Sequence, residues 1–286
     1  MLKKILDFIY KNYDKILTQE IKNFPVPEHV AIIMDGNRRY ARNIGKACNF
    51  GHMRGSDITE KVIEWSCEIG IKELTIYAFS TENFNRSEHE TEKLFDLISL
   101  KFNEITEDKR THERRMRIRA IGDINRLPSH LQDSIEKAET ATCNYENFKL
   151  NVALAYGGRQ DIVQAVQGIA RKISDGDLTL NEINENTISK YLYPSCGPSV
   201  SNVDLIIRTG GNERISNFLP WQANGNECAT YFCAPFWPLF RKTDFLRSIR
   251  LYQSRLTKKK QSSPIYRTAH FLKYMITNTR SGTQYP

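Results

Sequence analysis

The chain has 286 residues, of which 40% are hydrophobic and 26% charged, and this fits one large α/β domain or two small globular domains. Its formal net charge of +8 favours anionic partners, namely phosphorylated substrates, acidic lipid headgroups or nucleic acid. The six cysteines form no Cys-x-x-Cys pair and no zinc-like spacing with histidine, so we expect reduced thiols in a cytoplasmic protein. No apolar run approaches the roughly 18–20 residues of a membrane-spanning helix, and no signal-peptide pattern is visible.

Residues 2–21 have apolar side chains at helical spacing with lysines between them, which predicts a basic amphipathic helix. Such a helix can lie on a membrane surface, or it can pack its apolar stripe on the domain or on a second subunit. The sequence leaves these alternatives open. The segment 24–27, with two prolines, ends the helix, so we treat residues 1–24 as a helix ahead of the globular domain.

The stretch 29–42, HVAIIMDGNRRYAR, combines a strand with a polar turn. Its apolar run at 30–34 predicts a strand in the middle of a parallel sheet. The turn formers Asp35, Gly36 and Asn37 end the strand, and three arginines follow at helical spacing: Arg38, Arg39 and Arg42. Backbone N–H groups and arginines at one spot suit a phosphate or diphosphate, whereas the alternative is an ordinary turn with solvated arginines. Neither a Gly-x-Gly-x-x-Gly motif nor a complete Walker loop is present here.

Strands and helices alternate along the rest of the chain, which predicts a parallel α/β sheet. A loop is predicted over 45–55. The further strands are predicted at 71–79, 116–121, 148–156, 203–207 and 229–233, and the helices at 56–69, 87–110, 129–142, 159–173, 187–192 and 245–256. Ligands of such sheets bind beyond the carboxyl ends of the strands. We therefore expect four polar clusters that follow strands to line one crevice: Asp35–Arg39, Ser80–Arg86, Gly157–Arg159 and Arg208–Ser216.

A second anion site is predicted within RTGGNERIS at 208–216, which offers two arginines, a hydroxyl and a Gly-Gly turn. Its candidate residues are Arg208, Arg214 and Ser216. The alternative is a basic loop that closes the sheet. Asp35 is either a helix N-cap or a ligand that holds Mg²⁺ between diphosphate oxygens. Glu227 is a candidate second carboxylate for that ion, although spacing alone does not establish the pair.

A series of motifs follows in order along the chain: HVAIIMDGNRR, Gly51-His52, YAFSTENFNR at 77–86, IGD at 121–123, AYGGR at 155–159, DLIIRTGGNERISNFLPWQ at 204–222, Glu227, and FWPLF at 236–240. Together they closely resemble the cis-prenyltransferases, the undecaprenyl and dehydrodolichyl diphosphate synthases, from about Pro27 to Tyr252. The Asn-Arg-Arg turn and the N-terminal helix are more typical of archaeal or eukaryotic members, and we expect an archaeal-like one. The Asp-Asp-x-x-Asp run of another prenyl chemistry is absent from the sequence.

The resemblance implies a single α/β domain, expected over residues 25–256, with a central, mainly parallel six-stranded sheet, flanking helices and an apolar tunnel past Ala78 and the stripe of the 87–110 helix. It implies that the allylic diphosphate binds Gly36, Asn37, Arg38, Arg39, His52, Phe79, Ser80, Phe84 and Arg86. It implies that isopentenyl diphosphate binds Arg208, Arg214 and Ser216. It also implies catalytic roles for Asp35 and Asn83, with Asn83 helping proton removal, and Mg²⁺ held by Asp35 and Glu227.

The implied activity is a Mg²⁺-dependent condensation of isopentenyl diphosphate with an allylic primer, from geranyl to geranylgeranyl diphosphate, which gives a polycis-polyprenyl diphosphate. The resemblance further implies a homodimer and a product used as a glycosyl carrier or other isoprenoid lipid. We expect a cytoplasmic protein, with contact at a membrane surface left open, and no nucleic-acid partner. The alternatives are a non-catalytic partner subunit of a heteromeric enzyme, and a short-chain or relaxed-acceptor prenyltransferase.

Three positions depart from the family pattern. Cys48 stands where many members have arginine, and Phe84 stands where bacterial members have tryptophan. Most homodimeric members end in an Arg-x-Gly that completes the neighbour's isopentenyl diphosphate site. The only candidate here is Arg280-Ser281-Gly282, within the basic tail 257–286.

Overall fold

A computed structural model of the chain describes residues 2–194, 199–223 and 227–262, and in that part strands and helices alternate as predicted. The strands are β1 His29–Ile33, β2 Glu73–Tyr77, β3 Met116–Ile121, β4 Phe148–Ala153, β5 Leu205–Arg208 and β6 Ala229–Phe232. The helices are α1 Leu2–Lys22, α2 Asn37–Asn43, α3 Cys48–Ile69, α4 Glu88–Glu107, α5 Lys109–Glu113, α6 Ser129–Thr142, α7 Gly158–Ser174, α8 Glu185–Tyr191 and α9 Lys242–Ser262. The candidate Arg280-Ser281-Gly282 lies outside the described residues.

The strands form one sheet in the order β3-β4-β2-β1-β5-β6, and each pairing is parallel. The expected six-stranded parallel sheet is therefore confirmed. All five residues of β1 are buried, as its apolar run requires in a strand that is covered on both faces. Ile33 at the end of β1 pairs with Tyr77 of β2 and Arg208 of β5. The residues that follow these three strands consequently share one edge of the sheet, the carboxyl edge.

The sheet separates two apolar layers. Val30 and Ile32 belong to the larger layer, which also contains side chains of α3, α4, α6 and α9. Ala31 and Ile33 point to the other face, where they pack in a smaller layer with residues such as Phe218. The alternation follows from strand geometry, which sends successive side chains to opposite faces. Helices α3 and α4 of this layer form walls of the tunnel described below.

The loop predicted over 45–55 is wrong, because α3 already begins at Cys48. Glycines disfavour helix, and the three glycines of this segment, of which Gly51 and Gly55 lie in α3, favoured a loop at the level of sequence. In the structure they allow α3 to approach the turn after β1. A β carbon at Gly51 would lie 2.1 Å from the carbonyl oxygen of Asn37, and one at Gly55 would lie 2.4 Å from Asn37 Oδ1. The first part of α3 is thus seated directly against that turn.

The single helix predicted over 87–110 is divided in two. Helix α4 ends at Glu107, and the side chain of Asp108 accepts a hydrogen bond from the backbone N–H of Arg110. Asp108 is therefore the N-cap of the short helix α5, a role that aspartate commonly fills. The break places Asp108, Arg110 and Thr111 in the lining of the tunnel.

One face of the described part of α1 packs on the domain. Leu17 and Ile21 are buried, and the Oγ1 hydroxyl of Thr243 in α9 donates a hydrogen bond of 2.6 Å to Asp14 Oδ1. Ile16 on the opposite side remains 55% exposed. This supports the packing alternative for the second half of the helix. Within the described ranges, no helix combines the length and apolarity that a bilayer crossing requires.

Candidate active site

The turn after β1 forms one wall of a cleft of about 250 Å³, which we call the first anion site. Gly36 has a φ of 112°, and a β carbon there would lie 2.8 Å from Phe236 Cδ1, so this position requires glycine. The Arg39 guanidinium lies over the Phe236 ring, 5.1 Å from its centre. Asp35 and Arg42 line the cleft together with six of the nine residues predicted for the allylic diphosphate: Gly36, Asn37, Arg38, Arg39, His52 and Arg86.

A carboxylate that sequence reasoning missed lies among the cations of the first anion site. Glu90 Oε1 is 3.2 Å from Arg38 Nε, 3.4 Å from Arg86 Nη1 and 3.6 Å from His52 Nε2. Burial lowers the pKa of His52 to about 4, and the charge of Arg86 adds to this effect, so the imidazole is neutral near pH 7. Glu90 thus holds together side chains that come from three different helices or turns. A signal was present in the sequence, since Glu90 follows Arg86 at the i,i+4 spacing of a helical ion pair.

Replacing Glu90 with glutamine is expected to raise the KM for the allylic substrate about tenfold, the size of one lost charge-assisted hydrogen bond. Without the negative charge, Arg38 and Arg86 repel each other and lose their fixed orientation toward the cleft. Steady-state kinetics at varied primer concentration measures the change. Glu88→Gln, on an exposed residue of the same helix, is the matched control and should keep the wild-type KM. An unchanged KM in Glu90→Gln would show that this carboxylate does not position the arginines.

The second anion site is built around Arg208, the last residue of β5, whose side chain is only 5% exposed. Its Nη1 donates to Ser216 Oγ at 2.8 Å and to the carbonyl oxygen of Arg214. Its Nη2 donates to Asp35 Oδ2 at 2.9 Å. The three predicted residues are therefore adjacent, with the Arg214 side chain exposed at the rim. Arg208 also connects the second site to the first through Asp35.

Asp35 lies between the two anion sites. Its carboxylate accepts hydrogen bonds from Arg39 at 3.0 Å, Arg208 at 2.9 Å and Asn212 at 2.8 Å. Burial raises the pKa of Asp35, but the bonds from Arg208 and Asn212 and the charge of Arg39 outweigh it, so the pKa is lowered and the group stays ionised. The N-cap alternative is wrong, because Gly36 is the N-cap of α2.

Asp35 fits a magnesium ligand that works together with a substrate. Its side chain is 26% exposed and faces the cleft, and hard cations bind through one or two carboxylates plus phosphate oxygens. Within the described residues, no cluster of three or more His, Cys, Asp or Glu side chains forms a metal site on its own. A cation at Asp35 therefore requires oxygens from a bound diphosphate.

The two predicted metal ligands, Asp35 and Glu227, are not brought together within one chain. Glu227 is an exposed residue two positions before β6, and the first residue of that strand, Ala229, pairs with Leu205 at the start of β5. It therefore lies at the amino edge of the sheet, roughly 10 Å or more from the carboxyl edge at about 3.3 Å per strand residue. Spacing in the sequence does not reveal which edge a residue approaches.

The segment after β2 contains four of the predicted substrate-binding and catalytic residues: Phe79, Ser80, Asn83 and Phe84. The ring of Phe79 is buried and contacts the ring of Phe84 edge-on, with centres 4.9 Å apart. Asn83 Oδ1 accepts a hydrogen bond of 3.1 Å from the backbone N–H of Ser80, which fixes the carboxamide. The guanidinium of Arg126 lies over the Phe84 ring at 4.2 Å, a contact that sequence reasoning missed. Ser80 and Asn83 thus lie in one turn at the carboxyl edge.

An apolar tunnel of about 300 Å³ begins at Asn37 and His52 and runs between the sheet, α3 and α4. The side chains along it include Ile63, Ile76, Ala78, Leu94, Ile98 and Val152. The predicted course past Ala78 and the stripe of the 87–110 helix is confirmed. Because the tunnel opens directly beside the first anion site, a ligand can place a charged group and a hydrocarbon chain in adjoining spaces.

Two anion sites at the carboxyl edge of a parallel sheet, with an apolar tunnel beside them, define a class of enzymes that act on diphosphates of hydrocarbon chains. The chain matches the family model described as putative undecaprenyl diphosphate synthase over residues 33–260. It belongs to that family, the cis-prenyltransferases, and is a transferase that elongates an allylic primer in cis.

Similar proteins support this assignment. The tritrans,polycis-undecaprenyl-diphosphate synthase (geranylgeranyl-diphosphate specific) of Methanosarcina mazei is 58% identical over 96% of this chain and 92% of its own. The protein of the same name from Halobacterium salinarum is 48% identical over 92% and 85%. The crystal structure of lavandulyl diphosphate synthase from Lavandula x intermedia with dimethylallyl diphosphate has 35% identity and a TM-score of 0.74, over 80% of this chain and 95% of that one. A probable undecaprenyl diphosphate synthase from Campylobacter jejuni has 30% identity and a TM-score of 0.63 over the same shares. The archaeal-like character expected from the sequence is confirmed.

Proposed function

We propose that this chain extends geranylgeranyl diphosphate with isopentenyl diphosphate units in cis to give undecaprenyl diphosphate. The names of the Methanosarcina mazei and Halobacterium salinarum relatives, which match almost the whole chain, support this primer and product. The catalytic role rests on the position of Asp35 between the two anion sites. Its carboxylate accepts hydrogen bonds from Arg39 in the first site and from Arg208 in the second. Two diphosphates bound there would lie side by side. This arrangement argues against a non-catalytic partner subunit.

In the proposed reaction, the allylic diphosphate binds the first anion site and its hydrocarbon enters the tunnel. The carbon–oxygen bond to its diphosphate breaks, and Arg38, Arg39 and Arg86 stabilise the negative charge that develops on the leaving group. The allylic carbon forms a bond to isopentenyl diphosphate, which Arg208, Arg214 and Ser216 hold in the second site. The resulting cation passes a proton to an oxygen of the departed diphosphate, and Asn83 assists this transfer. The apolar tunnel excludes water that would otherwise capture the cation.

Asp35 would hold Mg²⁺ against the diphosphate oxygens, and the bound ion supplies positive charge to the leaving group. The proposed working form is a homodimer in the cytoplasm. The first half of α1, which is basic and amphipathic in sequence, is the segment we assign to contact with a membrane surface.

The proposal is tested with the purified chain, Mg²⁺ and labelled isopentenyl diphosphate, given geranyl, farnesyl or geranylgeranyl diphosphate in separate reactions. Reversed-phase chromatography of the products should show undecaprenyl-length chains, with the highest kcat/KM for geranylgeranyl diphosphate. Preference for a shorter primer would overturn the assignment of primer. Absence of elongation by the chain alone would favour the partner-subunit alternative. A separate reaction with dimethylallyl diphosphate alone tests the relaxed-acceptor alternative, which conversion of that substrate would favour.

A further inference from the structure

The tunnel changes character along its length, from apolar near the anion sites to charged at its far end. On α3, Glu64 lies twelve residues beyond His52, about 18 Å along a helix at 1.5 Å per residue. Six of the charged side chains that line the tunnel in this region form ion pairs with one another, and we call them the charged clasp: Glu60, Glu64, Lys101, Glu104, Asp108 and Arg110.

The charged clasp joins the two walls of the tunnel. Lys101 Nζ of α4 lies 2.7 Å from Glu60 Oε1 of α3 and 2.7 Å from Glu104 Oε2 of its own helix. Arg110, in α5, pairs with Glu64 of α3 and with Asp108. The carboxylates of Glu60 and Glu64 are 52% and 41% exposed, so the clasp lies where the tunnel meets solvent.

A hydrocarbon that grows down the tunnel gains stability from each carbon that it buries. At the charged clasp, further growth of the hydrocarbon becomes unfavourable. A further unit would have to separate α3 from α4 and place apolar carbons against ionised side chains, which removes the hydration and the partners of those charges. Although each ion pair is weak by itself because it is exposed, the uncompensated charges that remain are costly.

We propose that the charged clasp stops elongation and so determines product length, with the Lys101–Glu60 pair as its central element. The inference rests on the proposed function, because it assumes that the chain end advances along this tunnel. It assigns a specificity role to residues that touch neither diphosphate. The chain is released or ceases to grow when its end reaches the ion pairs.

The test is a charge reversal followed by a charge exchange. Lys101→Glu places a third carboxylate beside Glu60 and Glu104, so repulsion opens the clasp, and mean product length should increase by one or more five-carbon units. The double variant Glu60→Lys with Lys101→Glu restores a pair at the same place and should return the length to that of the wild type. Lys101→Met, which only removes the charge, serves if Lys101→Glu does not fold, and should also lengthen the products.

The control uses the same reversal on a pair outside the tunnel. Lys137 Nζ of α6 lies 2.9 Å from Glu107 Oε1 of α4, and Lys137→Glu should leave product length unchanged. Chromatography of products at equal conversion is the readout, with thermal unfolding of each variant alongside. Unchanged or shorter products from a folded, elongating Lys101→Glu variant, or lengthening by Lys137→Glu as well, would overturn this inference alone. Failure of the wild-type chain to elongate any primer would overturn the proposed function and this inference with it.

Discussion

Replacing Asp35 with asparagine is expected to lower kcat about 100- to 1,000-fold, the size seen when one preorganised electrostatic contact is removed. The ionised carboxylate holds Arg39 and Arg208 at the boundary between the anion sites and offers the ligand for a cation. Asparagine has nearly the same shape and keeps an oxygen that accepts from Arg208, but it has no charge. Single-turnover measurements at saturating substrates would isolate the loss in the chemical step.

Asparagine is chosen rather than alanine so that the variant stays folded and its loss of activity can be interpreted. Arg208 is buried, and a buried guanidinium left without a partner destabilises a protein strongly. Thermal unfolding of Asp35→Asn should remain close to that of the wild type. Asp177→Asn, which removes the exposed partner of Lys172, is the matched control and should retain full activity. Full activity in Asp35→Asn would reject the role of this carboxylate in catalysis.

Replacing Arg208 with lysine should raise the KM for isopentenyl diphosphate about 10- to 100-fold and lower kcat as well. The guanidinium donates to Ser216, to the Arg214 carbonyl and to Asp35 at the same time. A lysine ammonium is a point charge on a flexible stem and does not reproduce this planar set of donors. The charge is conserved, so the experiment separates geometry from net charge.

Initial rates at varied isopentenyl diphosphate, with the allylic primer saturating, provide the measurement. Arg250→Lys is the matched control, because Arg250 is 60% exposed and lies 3.8 Å from Glu20 on the outer side of α9. It should leave both KM values unchanged. If Arg208→Lys behaved in the same way, the second anion site would have to lie elsewhere.

Much of the architecture could be predicted because its signals are local. The bounds of β3 and α6 agree with the sequence prediction, since hydrophobic period, a Gly-Asp turn and a proline mark their ends. The first anion site could also be predicted, because Asp35 to Arg39 follow a buried strand directly. Parallel strands then bring the segment at Arg208 to the same edge without further information.

What could not be predicted depends on contacts between distant segments. Gly51 and Gly55 lie in a helix that approaches Asn37 closely, and helix propensity alone does not include that contact. Glu90 gains its role from Arg38 and His52, which no spacing rule connects to it. Glu227 is separated from the carboxyl edge by the direction of β6, a property of pairing rather than composition.

Helix α3 borders both the first anion site and the hydrocarbon tunnel. Its first turns are wedged against Asn37 at the leaving-group end, while Ile63, three turns later, forms the wall beside the growing hydrocarbon. One continuous helix therefore borders both the diphosphate site and the hydrocarbon tunnel. We therefore expect a substitution that displaces α3 beside the hydrocarbon to shift its contact with Asn37 as well, so that product length and turnover rate change together.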